Sequence, residues 1–156
     1  MTTLVVIPCG QKKIWDSEPK AGPTRAFDAY QGPPFKVNRE YAVRFAPKSW
    51  VVLSAKYGFI SPEFHIPENY NVTFNDPETT PISEQRLAQQ VREDGLDRFD
   101  TVIVLGSKAY ADKVRASFRG TQSRVAAPLE PLKPWPPGIR MQAVRRAIDT
   151  NTPFTA

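Results

Sequence analysis

The sequence predicts an α/β protein with a small four-stranded parallel sheet and helices on both faces. Three observations predict it. Short apolar runs rich in β-branched residues recur along the chain. Amphipathic stretches of helical spacing stand between them. The resulting rhythm is strand, helix, four times over, which is the signature of parallel strands joined by crossover helices.

Each element has its own reason. Residues 3–8, TLVVIP, are continuously apolar, as a strand buried on both faces should be. Residues 9–34 read as loop. In 35–46, Phe35, Val37, Tyr41, Ala42 and Phe45 fall near helical spacing, and Pro47 stops the helix. Residues 49–54, SWVVLS, form the second strand, and 55–81 show little regular pattern. Ser83 caps the next helix, although Arg86 stands where a capping box would place Glu. Leu87, Val91 and Leu96 face its core side, and Gly95 frays its end. Residues 100–105, DTVIVL, are the third strand. Gly106 and Ser107 then turn the chain into a helix at 108–118, with Tyr110, Val114 and Phe118 on one face. Residues 123–127 make a short fourth strand, and a last helix covers 138–149. The reading is one domain over 1–150 with a frayed tail at 151–156.

Bulk properties bound the function. The chain has 156 residues, enough for one domain with a real core. No apolar run approaches the roughly 20 residues that cross a bilayer. The start, MTTLVVIPCG, lacks the basic and long apolar segments of a signal peptide. Cys9 is the single cysteine and has no internal partner. Together these predict a cytoplasmic protein without a membrane partner. The net charge of +5 is compatible with a polyanionic partner, nucleic acid or a nucleotide. Oligomeric state leaves no signal. Prolines cluster at 19–34, 62–81 and 128–137, which marks three long ordered loops, and long loops in small domains usually carry function.

In a parallel sheet, ligands bind at the carboxyl ends of the strands, beside the point where strand order reverses. Those ends hold the unusual residues. The first is Pro8-Cys9-Gly10-Gln11-Lys12-Lys13. Gly10 allows a ligand close to the backbone, neighbouring amides can hold an anion, and Lys13 adds charge. Cys9 is either a ligand contact or a small buried hydrophobe. The second end is Ser54-Ala55-Lys56-Tyr57-Gly58. If the two lie side by side, Lys13 and Lys56 form one cationic mouth, with Ser54 as a hydrogen-bonding group. Tyr30 and Tyr57 would line it. At the third end, Gly106 and Ser107 open a helix whose N-terminus is available to an anion. At the fourth, Trp135 tips a proline-stiffened loop, as a packed anchor or as a stacking ring.

The loop 59–81 mixes Phe59, Phe64, Tyr70 and Phe74 with Glu63, Glu68 and Asp76. Aromatic rings beside acids fit a pocket for a stacked base, or they simply pin the loop. One of the three acids, Glu63, Glu68 or Asp76, could activate water or stabilise a sugar cation. His65 is more simply a loop hydrogen-bonder. No GxxxxGK[ST] or GxGxxG occurs, and no Cys/His spacing suits zinc. No cofactor or metal is therefore expected.

The set C-G-x-x-K (Cys9–Lys13), Y-x-G-x-x-F (Tyr30–Phe35), S-A-K-Y-G (Ser54–Gly58) and L-G-x-x-x-Y (Leu105–Tyr110) resembles a sparsely characterised bacterial and phage domain family. The wider arrangement is similar to the uracil-DNA glycosylase superfamily. That resemblance implies a three-layer α/β/α sandwich with strand order 2-1-3-4. Its first motif begins Gly-Gln, here Gly10-Gln11, and its DNA-inserting loop corresponds to Ala127–Leu132. The superfamily's water-activating Asp or Asn and its loop His are replaced here by Lys12, Lys13 and Ala127. The resemblance thus implies a nucleobase or nucleic-acid ligand, and an N-glycosidic-bond hydrolase as the enzymatic reading. A non-catalytic nucleotide- or nucleic-acid-binding module is the alternative.

Overall fold

The computed structural model describes residues 2–133, 136 and 138–156. In chain order the elements are β1 (Thr3–Pro8), α1 (Ile14–Ser17), β2 (Thr24–Arg25), α2 (Ala26–Ala29), α3 (Pro33–Phe45), β3 (Trp50–Ser54), β4 (Gly58–Ile60), β5 (His65–Ile66), α4 (Glu84–Glu93), β6 (Thr101–Val104), α5 (Lys108–Ser117), β7 (Arg124–Ala126) and α6 (Ile139–Asp149). The architecture is mixed α/β with a mostly parallel central sheet. That sheet has five strands, in the order β4-β3-β1-β6-β7, where the sequence led us to expect four. The extra member is β4. It turns back from β3 through Ala55–Tyr57 and pairs antiparallel, Ser54 opposite Gly58. Three residues after a tight turn are too few to show a period of two, so no pattern announced it.

β1 pairs in parallel with β3 on one side and β6 on the other. Its residues alternate between two cores. Val5 and Ile7 pack with Phe35, Tyr41 and Val144 of α3 and α6. Leu4 and Val6 pack with Leu87, Val91 and Val114 of α4 and α5. A strand buried on both faces needs an apolar residue at every position, which is why 3–8 reads as one continuous run. Burying each such side chain stabilises the fold by about 1.5–3 kcal/mol. α4 begins as its cap dictates, with Ser83 Oγ accepting from the Arg86 amide at 3.0 Å.

The two long loops before α3 and after β4 are held to each other. β2 and β5 form a two-stranded antiparallel ribbon, pairing Arg25 with His65. The C-terminal residues, read as a frayed tail, fold back on α3. Phe154 stacks on Tyr41 with ring centroids 5.4 Å apart, and its amide donates to the Tyr41 hydroxyl at 2.9 Å. Among the described residues, no helix is long and apolar enough to cross a membrane.

Candidate functional site

β1 makes its last sheet bond when the Cys9 amide donates to Leu53 O at 3.0 Å. Beyond it the chain leaves the sheet. From β1 the chain crosses through α3, on one face, to reach β3. It reaches β6, the other neighbour of β1, through α4 on the opposite face. The connections therefore diverge between β1 and β6, and a crevice must open at their carboxyl ends. A cleft of about 480 Å³ lies there. Its walls include Phe35, Leu105, Leu129 and Met141, with Lys12 and Arg140 as cations. Asn38 ties α3 to the end of β6 by donating to Leu105 O at 3.2 Å. Arg140 donates to Leu132 O at 3.2 Å, while its buried Nε has no partner among the described residues. Gly106 lets Pro8 and Tyr110 close the floor: a Cβ there would stand 2.8 Å from Pro8 Cγ.

A second cleft, of about 340 Å³, shares Cys9, Gly10, Gln11 and Tyr110 with the first. Its remaining walls are mostly polar, with Lys13, Asn71, Thr73 and Asn75 beside Val72. The Cys9–Gln11 backbone is thus a ridge between an apolar cleft and a polar one. Gly10 sits on that ridge, and a Cβ added to it meets no atom closer than 4.0 Å. Lys13 is only 5% exposed. Its ammonium donates to Gln11 O at 3.2 Å and stands 4.5 Å from the centroid of the Tyr70 ring, with no carboxylate in salt-bridge range among the described residues. Burial pushes its pKa below the ordinary lysine range, against smaller opposing pulls from Cys9 and Asp16. A buried ammonium with no counter-ion favours either proton loss or an external anion.

Under the ridge runs a buried hydroxyl network. Tyr70 OH pairs with Tyr30 OH and, at 2.9 Å, with Ser54 Oγ. Ser54 Oγ also accepts from the amides of Lys56 and Tyr57, at 3.2 and 3.1 Å, which fixes the turn into β4. The Cys9 thiol lies 3.5 Å from Tyr110 OH. Burial holds the phenols of Tyr30, Tyr70 and Tyr110 well above the usual tyrosine range. All three are therefore neutral hydrogen-bonding groups at physiological pH, not bases.

The two lysines singled out in the sequence do approach one another's surroundings. Lys56 Nζ lies 5.7 Å from the same Tyr70 ring centroid and 5.4 Å from that of Tyr57. Lys56 is exposed and lies outside the lining of both clefts, as do Tyr57 and Gly58. Cys9, Gly10 and Gly106 line the first cleft, and Cys9, Gly10 and Lys13 the second. Tyr30 and Ser54 are fully buried beneath them, so they support the ridge instead of lining a mouth. Gly58 has a structural task. Its φ is +78°, and a Cβ would stand 2.1 Å from Gln90 Oε1. The acids lie elsewhere. Glu63 pairs with Arg25 at 3.0 Å on the surface, and Asp76 caps the turn Pro77–Thr79 by accepting from the Glu78 amide. Glu68 is exposed, and none of the three lines either cleft. Trp135 lies outside the described residues. Among those described, no cluster of His, Cys, Asp and Glu could hold a metal ion.

Sequence reasoning passed over Asn71, Thr73 and Asn75. Their signal was present: Asn69 to Asn75 alternates polar residues with Tyr70, Val72 and Phe74. That is the period of an extended segment with one polar face. Arg140 and Met141 carried no signal, because only the packing of α6 brings them to the cleft.

Fold and site define an α/β protein with paired clefts at a topological switch point and no carboxylate among their described lining residues. The chain belongs to DUF6884, a family of unknown function, whose match spans residues 4–144. It is 38% identical over 149 residues to the uncharacterized protein YfjM of Bacillus subtilis (strain 168), covering 96% of this chain and 97% of that protein. No solved structure matches it.

Proposed function

We propose that the protein binds a nucleotide, free or within a nucleic acid, across the Cys9–Gln11 ridge. The base enters the apolar cleft and the phosphate faces Lys13 in the polar one. One observation carries this reading: two clefts of opposite character share a single ridge whose crest is a glycine. The first cleft, at about 480 Å³, is of a size that holds small ligands. Phe35, Leu105 and Met141 offer apolar contact to a flat ring, and Arg140 and Lys12 offer donors to its edge. Lys13, buried without a counter-ion, is matched by a phosphate. Lys56 adds charge at the outer side of Tyr70.

Binding is favoured over N-glycosidic hydrolysis. Hydrolysis needs a carboxylate beside the sugar to stabilise developing positive charge. Glu63, Glu68 and Asp76 are not placed to do this. The test is calorimetric titration of nucleoside monophosphates into the wild type and Gly10→Ala. The added methyl projects from the crest where nothing crowds it, so the variant should melt within about 2 °C of the wild type and lose about tenfold or more in affinity. Equal affinity in both proteins would refute the shared-ridge site.

A further inference from the structure

A third hollow of about 620 Å³ runs along the outer seam of α3 and α6. Its charged lining is Lys36, Arg39, Arg44 and Arg145 against one carboxylate, Glu40. Glu40 is taken by Arg145, whose guanidinium donates to it at 2.8 Å. Lys36, Arg39 and Arg44 have no carboxylate partner among the described residues. Arg39 is held in place, donating to Phe27 O at 2.7 Å and lying 4.6 Å from that ring's centroid. Lys36 and Arg44 are exposed. In a chain of net charge +5, this is a local concentration of positive charge on one face.

The groove is built on the same two helices as the first cleft. Phe35 lines the cleft and Lys36 the groove, while α6 contributes Arg140 to one and Arg145 to the other. At 1.5 Å per residue, Lys36 to Arg44 spans about 12 Å along α3. Three cations along that length, Lys36, Arg39 and Arg44, can neutralise about three phosphates of a strand. We propose that this groove carries the phosphodiester backbone of a nucleic acid whose base occupies the first cleft. The ligand class is then a polynucleotide and not a free nucleotide. This inference rests on the base-binding reading of the cleft and adds to it a separate surface. A lipid surface fits less well, since Val43 is the single exposed large hydrophobic side chain described on the seam. An acidic peptide would have no use for a base-sized cleft at the end of the track.

The test uses the full chain and a labelled 12-nucleotide single-stranded DNA, with anisotropy followed across salt concentrations. The wild type should show a salt slope of about −3, the value for about four phosphates on a single strand, three in the groove and one at Lys13. The double variant Lys36→Ala/Arg44→Ala should keep its melting temperature, bind the oligonucleotide about tenfold more weakly at low salt, and show a slope shallower by about 1.4. Its affinity for a mononucleotide should not change. Oligonucleotide affinity and slope unchanged in the double variant would overturn the groove, even with mononucleotide binding to the cleft intact. Loss in the double variant with no effect of Gly10→Ala would support the groove as a backbone track and overturn the cleft reading instead. Equal binding of polyglutamate would overturn the assignment to nucleic acid.

Discussion

Gly58→Ala separates a structural glycine from a ligand-contacting one. The glycine occupies the left-handed region, where a side chain costs about 1 kcal/mol. Its Cβ would also stand 2.1 Å from Gln90 Oε1 and 2.8 Å from Ile82 Cδ1. Gln90 must therefore move. It accepts from the Phe59 amide and donates to Tyr57 O, each at 2.9 Å. Losing both leaves two part-buried backbone groups short of partners, at about 1–3 kcal/mol each. The total is about 4 kcal/mol, a large share of the roughly 5–15 kcal/mol that holds a domain together. Urea unfolding should show that loss, and the melting temperature should fall by about 10 °C. In a Gln90→Ala background the same substitution should cost only about 1–2 kcal/mol, for the left-handed backbone and the remaining contact with Ile82 Cδ1, because the Gln90 clash and both bonds are already gone. A loss under about 1 kcal/mol in the wild-type background would refute the reasoning and return Gly58 to the candidate ligand contacts.

Three further outcomes are expected. Tyr70→Phe removes the hydroxyl that joins Tyr30 to Ser54 and should cost about 1–3 kcal/mol in urea unfolding; a neutral result would mean the network is dispensable. Lys56→Ala should leave stability within about 0.5 kcal/mol, since the side chain is exposed, while weakening phosphate-bearing ligands in titration. Lys13 has a folded pKa below its unfolded value of about 10.4, so between those two values the unfolded state binds more protons. Stability contributed by Lys13 must then rise with pH across that window. Relative to Lys13→Met, the wild type should gain stability as pH rises toward about 10.4, as read from urea midpoints; a flat or falling difference would contradict the buried, unpaired ammonium.

The frame of the fold was legible because its signals are local. β1 is Thr3–Pro8, as the apolar run indicated, and α3, α4, α5 and α6 begin within a residue or two of the expected positions. Ser83 announced α4 through a cap that involves only its own turn. What was illegible depends on residues far apart in sequence. β2 and β5 contain two residues each and exist because they pair across about 40 positions. β4 is three residues set by Gly58 and Gln90. The site divides in the same way. The stretch Cys9–Lys13, which holds the ridge, stood out as a strand end that turns abruptly polar and charged. The roles of Ser54 and Tyr30 did not, since only packing shows a hydroxyl to be already bonded and buried. The acids Glu63, Glu68 and Asp76 drew attention by composition, yet all three are exposed and none lines either cleft.

The most direct measurement is a crystal structure with a nucleoside monophosphate bound. The base should lie in the cleft between Phe35 and Met141, with the phosphate across Gly10 and within salt-bridge distance of Lys13. A ligand seated away from the Cys9–Gln11 backbone, or Lys13 unengaged while a phosphate is held elsewhere, would contradict the account.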